Sequence, residues 1–395
     1  MRLVKLVSLA YMSISFLCAT DNISFLSSLK QEKLDIDRQK IELESKNLKY
    51  NWIKQITGSY STSTIDGRYS GDTNSDTLSV MFDQPVFKSG GIYYAIQYAG
   101  ANREFLRLNA TSNEQNIIKS VISSWLDIKK YDLQINRQGY LIKNAKIDII
   151  RKQEQYESGF LDSSFLDQAI LTKTTFEKIL IDMEALRYSQ LMTFKSLSDS
   201  NYMDITPPTF AMIDQNTYIN NSIVLKRQNA QSKRAEYLKK MTITNYFLTF
   251  SVYANYQDVA NDINLDDTYN QMGLRVSVPL IDVNRGRTIE IQQLEHLKSK
   301  IEVQDIEVEE SNLYRDSIKK IELLNKKIDI VTDDAKLYDS LLVSTKELFE
   351  AGEKTVHDVD TLYNSKQTMI LDREIYKIDA QKVFLNLYAK MYGEI

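Results

Sequence analysis

The sequence predicts an elongated, mainly α-helical chain with a small β part, built from two copies of one unit. Three observations predict it. The first is repetition. Phe82-Asp-Gln-Pro-Val-Phe-Lys-Ser-Gly-Gly91 and Val276-Ser-Val-Pro-Leu-Ile-Asp-Val-Asn-Arg-Gly286 lie about 194 residues apart, and Tyr156-Glu-Ser-Gly159 and Phe349-Glu-Ala-Gly352 repeat at nearly the same spacing. The second is a shortage of turn formers: 395 residues carry 12 Gly and 4 Pro, with neither between Arg287 and Ala351. A compact domain needs a turn every ten to fifteen residues or so, and this chain does not supply them. The third is period-two alternation before each Pro-Gly break, which marks strands leading into the long helical stretches.

Bulk properties exclude several classes. The formal charge is -4, with 26% charged and 43% hydrophobic residues, as in a folded protein. Basic residues are interspersed with acids, so no stripe exists to neutralise phosphates, and a nucleic-acid partner has no support. The start reads Met1-Arg-Leu-Val-Lys5, then an apolar run from Leu6 to Leu17, then Cys-Ala-Thr20. That pattern predicts a secretory signal over residues 1–20, too short for a permanent membrane anchor. Cys18, the single cysteine, leaves with it; the rival reading is a lipoprotein lipidated at Cys18, although Leu17 is a poor fit before such a site. No later apolar run reaches about 20 residues, so no transmembrane helix is predicted.

The elements follow in order. Asn22–Tyr50 reads as a helix, with Phe25, Leu29, Leu34, Ile41 and Leu48 among charges. A polar Ser/Thr/Gly-rich stretch spans Trp52–Asp76. In Thr77–Asp83, Leu78, Val80 and Phe82 alternate with Thr77, Ser79 and Asp83, predicting a half-buried strand. Ile92–Glu154 is helical, with Ile118, Val121, Ile122, Trp125 and Ile128 forming one patch. Its more than 60 residues would span roughly 95 Å. Gly159 ends it, a helix over Ser163–Leu197 follows, and Pro207-Pro208 marks a linker. The second half repeats this order. A helix covers Asp214–Met241, and Leu248, Phe250, Val252, Ala254 and Tyr256 alternate with polar residues. An acidic loop spans Gln257–Asp267, and Met272, Leu274, Val276 and Val278 alternate in their turn. A long helix then runs to Gly352, and a last one covers Val356–Tyr392. The units are therefore 21–205 and 206–395, each predicted as helix, two strands, long helix, helix. The two shorter helices together match the long one in length, so they could stack end to end beside it.

Four strands cannot close around a lumen, since at least about eight are needed. In an exported chain the alternation fits a barrel shared among subunits in an outer membrane, with loops at Ser63–Asp76 and Gln257–Asp267 as exposed tips. Tyr60, Tyr246, Phe247, Tyr253, Tyr256 and Tyr269 would supply interfacial aromatics. Periodicity alone fits a soluble sheet packed on helices equally well.

Gln84-Pro-Val-Phe-Lys-Ser-Gly-Gly91 and Val278-Pro-Leu-Ile-Asp-Val-Asn-Arg-Gly-Arg287 resemble the signature of the TolC-type outer-membrane efflux proteins. The turns at 156–159 and 349–352 resemble that family's helix-hairpin turns. Leu166-Asp-Gln-Ala169 and Asp358-Val-Asp360 lie near its Asp-Val-Leu-type segment, and Thr361-Leu-Tyr-Asn-Ser-Lys-Gln367 is similar to a stretch of TolC itself. The resemblance covers nearly the whole mature chain, twice over. It implies a TolC-like homotrimer with a 12-stranded outer-membrane barrel and a long α-helical periplasmic tunnel. It also implies helix tips that meet a periplasmic adaptor (membrane fusion) protein and an inner-membrane transporter. Asp282-Val-Asn-Arg-Gly286 departs from the Asp-Gly-Gly-Arg common there; a similar longer turn occurs in the branch exporting metal cations, but does not assign a substrate.

A passive conduit carries no reacting side chains, and no cofactor, metal or catalytic constellation is predicted. The resemblance places the periplasmic entrance constriction near Asp358, Asp360 and Lys354, beside Glu353. A threefold ring of carboxylates would attract cations. The bland reading is that these acids meet a helix dipole at its N-terminus. Gly159, Gly352, Glu157 and Glu350 mark the hairpin tips for adaptor docking, and Pro85, Gly90, Gly91, Pro279 and Gly286 mark the strand-to-helix turns. His357 is a tip ligand or pH-sensitive group, or simply a solvated histidine. The runner-up function is a periplasmic coiled-coil adaptor or scaffold, against which stand two hairpins, no Gly-rich β-domain and drifting heptads.

Overall fold

The computed structural model describes residues 25–67, 71–261 and 267–393. The segment expected as a signal, residues 1–20 with Cys18, lies outside them. The elements in chain order are α1 (Ser28–Tyr50), β1 (Thr57–Gly67), β2 (Gly71–Phe87), α2 (Gly91–Glu157), α3 (Ser163–Leu197), α4 (Gln215–Asn221), α5 (Ile223–Thr244), β3 (Thr249–Asn261), β4 (Asp267–Ser277), α6 (Arg285–Glu350) and α7 (Val356–Tyr388). The four strands form one antiparallel sheet in sequence order.

The two longest helices, α2 with 67 residues and α6 with 66, set the shape. Each is about 100 Å long. The helices lie in one layer: α1 and α3 flank α2, α2 packs on α5 and α7, and these pack on α6. The short helices stack in pairs. The N–H of Ser27 donates to Leu197 O at 2.8 Å where α3 meets α1, and that of Ile223 to Lys390 O at 2.8 Å where α7 meets α5. The core gathers around these two junctions, with Ile118, Val121, Ile122 and Ile128 of α2 packed with Phe194 and Leu385. The linker after α3 closes over it: Trp125 Nε1 donates to Tyr202 O at 2.8 Å, and Phe210 is buried.

Five boundaries differ from expectation. The polar stretch Trp52–Asp76 contains β1 and the start of β2, so most of the tip expected as a loop at Ser63–Asp76 is paired strand. The reason is chemical: near the tip both strand faces are polar, so alternation of hydropathy vanishes although the backbone stays paired. The tip at Gln257–Asp267 is likewise shortened by β3 and β4. The helix expected over Asp214–Met241 breaks at Ser222, where no Pro or Gly signals it. There the C-terminal segment bridges to Ser222 through Met391, and Tyr392 N–H donates to Asn221 O at 2.9 Å. Beside the break Glu310, 3% exposed, is held by Tyr218 Oη at 2.5 Å and Lys390 Nζ at 2.7 Å. Lastly, α1 starts at Ser28 and α7 ends at Tyr388.

The repeat is visible in the sheet register. Thr57 pairs with Met81, and adding 194 to each gives Ser251 and Arg275, which are also paired. The same shift carries Ser28–Tyr50 onto residues 222–244, within one residue of α5.

Candidate functional site

The sheet is inverted relative to a soluble protein. Cross-strand partners share a face, so Leu78, Val80 and Phe82 lie on one side with Val252, Ala254 and Tyr256. In the single chain Leu78, Val80 and Val252 are exposed, while Thr77, Ser79 and Ser251 opposite them are half-buried or buried. The polar face carries its own network. Ser59 and Ser79 hydroxyls lie 2.7 Å apart, Arg275 pairs with Asp83, and the Arg275 guanidinium sits 4.7 Å over the Tyr253 ring. An exposed apolar face backed by a hydrogen-bonded polar one is the pattern that a strand between lipid and a wet interior requires. From Phe250 to Tyr256 the apolar row rises about 20 Å. Of the expected interfacial aromatics, Tyr60 and Tyr256 lie on the apolar face. Tyr253 and Tyr269 do not: they pair with Gly273 and Gln257 on the polar face, because each sits one residue out of phase with the apolar row.

At the foot of the sheet the two strand-to-helix turns differ. In the first, a bulge follows Pro85, Ser89 and Gly90 take φ of 45° and 87°, and a Cβ on Gly91 would lie 2.9 Å from Thr244 Oγ1. The second turn, after Pro279, uses an Asp282 side chain instead, accepting from Asn284 N–H at 2.8 Å. Gly286 is the second residue of α6, with open space around it.

The opposite end of the molecule holds both hairpin tips, closed by one geometry. Gly159 at φ 76° donates to Tyr156 O at 2.9 Å while Phe160 donates to Gln155 O at 2.8 Å. Gly352 at φ 80° donates to Phe349 O at 3.0 Å while Glu353 donates to Leu348 O at 2.8 Å. This double bond satisfies the last helix carbonyls and needs a left-handed residue. Glu157 and Glu350 are the last residues of α2 and α6, both exposed. The tips differ in chemistry: Phe160 projects at 86% exposure on the first, Glu353 and Lys354 on the second.

Asp358 is not a free carboxylate. It accepts from Thr355 N–H and Oγ1, both at 2.9 Å, and from Arg151 Nη2 of α2 at 2.8 Å. The Thr355 hydrogen bonds, with Arg151 and Lys354 nearby, hold its carboxyl below the ordinary aspartate range. Asp360, one turn into α7, is exposed and has no side-chain partner among the described residues. His357 has a buried, unpartnered Nδ1.

Arg151–Asp358 is the last rung of a ladder between α2 and α7. Lys130 Nζ meets Asp379 at 2.6 Å, Arg137 Nε lies 2.7 Å from Asp372, and Asn144 Nδ2 donates to Ser365 Oγ at 3.2 Å. The Arg137 N–H points off that line, so its contact is electrostatic rather than an aligned hydrogen bond. Rungs recur every seven residues on both helices, over about 30 Å. Reading one helix at a time misses these residues; the signal is cations at seven-residue spacing on one helix and acids at the same spacing on another.

Two long helices, each flanked by a stacked pair, carrying an inverted four-stranded sheet, define the protomer fold of the TolC-type outer-membrane channels. Solved structures agree. The Campylobacter jejuni CmeC outer membrane channel superposes with a TM-score of 0.71 at 11% identity, covering 93% of this chain and 84% of that one. VceC of Vibrio cholerae gives 0.69 at 11% identity, covering 91% and 93%. The open state of the Neisseria gonorrhoeae MtrE outer membrane channel gives 0.64 at 9% identity, covering 92% and 87%. No family model matches the sequence, and no curated protein matches it. The chain therefore has the TolC-type fold, and at these identities the likeness is one of fold.

Proposed function

We propose that the chain is the outer-membrane exit duct of a tripartite efflux or type I secretion system, a passive conduit driven by an inner-membrane pump. One observation supports this: the four-stranded sheet exposes apolar residues on one face and gathers a polar network on the other, on helices of about 100 Å. Such a sheet has no stable place in water, and with two free edges it is an incomplete barrel. Three copies supply twelve strands, enough to enclose a lumen. The chain reads as two units, 21–205 and 206–395, each contributing a strand pair and a helical hairpin. The tips at Gly159 and Gly352, with Glu157 and Glu350, are the docking points for a periplasmic adaptor. The entrance narrows near Asp358, Asp360 and Lys354. A periplasmic adaptor or scaffold would share the hairpins but has no use for an inverted sheet.

Membrane fractionation followed by planar-bilayer conductance tests this. The expected result is a heat-sensitive trimer in the outer membrane that conducts ions. A non-conducting periplasmic species would overturn it.

A further inference from the structure

We propose that a second copy of this chain seats on the β4–α6 flank in the register the chain uses between its own halves. The seam between copies is then apolar where the in-chain seam is polar. The proposal rests on the three-copy reading and adds which residues meet.

The chain holds a template for this contact. β2 and β3 join its halves in the sheet, and α2 and α7 join them in the helical layer. The opposite flanks, β1 with α1 and α3, and β4 with α6, lack such neighbours among the described residues. Because the halves repeat at 194 residues in the sheet, each β2–β3 pair projects onto β4 of one copy and β1 of the next.

Phe82–Ala254 projects onto Val276 and Tyr60, and Asp83–Tyr253 onto Ser277 and Ser59. The projected faces agree without adjustment. Val276 and Tyr60 both lie on the apolar face, and Ser277 and Ser59 both on the polar one. A slip of one residue would turn Tyr60 into the lumen. At the foot, Phe87 and Phe250 rings lie 5.8 Å apart, and the projected pair is Ile281 with Ile56. Both are apolar and stranded in the single chain, at 90% and 69% exposure.

The helical tips repeat at 193 residues, Gly159 to Gly352, and the ladder projects at that spacing. Lys130–Asp379 becomes Leu323 with Leu186 of the next copy. Arg137–Asp372 becomes Ile330 with Ile179. Asn144–Ser365 becomes Leu337 with Thr172, and Arg151–Asp358 becomes Ser344 with Phe165. Each projected rung has at least one apolar side chain and none has a charge. Leu323, Ile330, Leu337, Leu186 and Phe165 are exposed in the single chain, unlike the half-buried charged rungs they replace. Three of these four positions on each helix are apolar and none is charged, which makes a seam that excludes water and is insensitive to salt.

The test uses cysteine pairs in the full-length assembly, with Cys18, the single native cysteine, replaced if it persists. Leu323→Cys with Leu186→Cys, and separately Ile281→Cys with Ile56→Cys, are oxidised in the purified trimer and run on heated denaturing gels. Both pairs should link chains into dimers and trimers. The slipped pair Ile330→Cys with Leu186→Cys is displaced about 10 Å along the helix and should link at least about tenfold less. Lys130→Cys with Asp379→Cys should close within one chain and leave its mass unchanged. A particle of trimer mass that fails to cross-link at both designed pairs, or links as well at the slipped one, would overturn the register and leave the three-copy reading standing. A monomer, its flank covered by lipid or detergent instead, would overturn both.

Discussion

Asp358 illustrates how one carboxylate can serve two helices. It caps α7 through Thr355 and ties that helix to Arg151 of α2. Asp360, two residues on, does neither. The pair expected from the sequence to act as one ring therefore differs in its contacts, and two roles are expected of it. Asp358→Ala should loosen the tip, costing about 1 kcal/mol for the lost cap, and raise single-channel conductance. Asp360→Ala should leave conductance nearly unchanged and weaken block by multivalent cations; equal effects from the two variants would refute the division. The pH dependence has a definite sign. The folded Asp358 binds its proton less readily than the unfolded one, so its contribution is complete above the ordinary aspartate pKa of about 4. It is lost as pH falls through the lower folded value. The Asp358-dependent part of the conductance should therefore be flat from pH 5 to 8 and shift only in stronger acid, a shift that Asp358→Ala abolishes.

In the proposed duct, strands and helices meet different solvents. On β3, Val252 lies on the exposed apolar face and Gln257 on the polar face. Val252→Arg would place a charge in hydrocarbon at a cost of about 2–4 kcal/mol near the midplane. It should deplete the heat-sensitive trimer in the membrane. Gln257→Arg should assemble normally and alter only ion selectivity, and indifference of assembly to both would argue against a membrane sheet. The helices were legible because their apolar spacing and Gly stops are local signals: α3 begins at Ser163 and ends at Leu197, as its pattern predicts. β1 was not, because Ser59, Ser61 and Thr62 leave no hydropathy alternation to read. The break at Ser222 was invisible too, since its cause is Met391, far away in sequence.

At the scale of the whole molecule, length is the consequence of two unbroken helices. α2 contributes about 100 Å, and a tilted barrel of strands this long adds about 30–40 Å. Electron microscopy of the purified assembly should show a cylinder of about 130–140 Å. A particle under about 80 Å would be incompatible with the helices lying in one layer. The layer also explains the distribution of apolar surface. Ile291, Leu294, Leu297 and Ile301 line α6 in the open, on the flank where a second copy is proposed to seat.

By itself the sequence determined the repeat, the long helices, the glycine tips and the alternation of β2, β3 and β4, because each is written in the spacing of residue types along the chain. Tertiary structure alone decided which strand face is left exposed, since alternation reads the same for either face. It also decided that Asp358 serves Arg151 and that Lys130, Arg137 and Asn144 form rungs with α7. Those partners sit more than 200 residues away, and only the packing of α7 on α2 brings them within hydrogen-bonding reach.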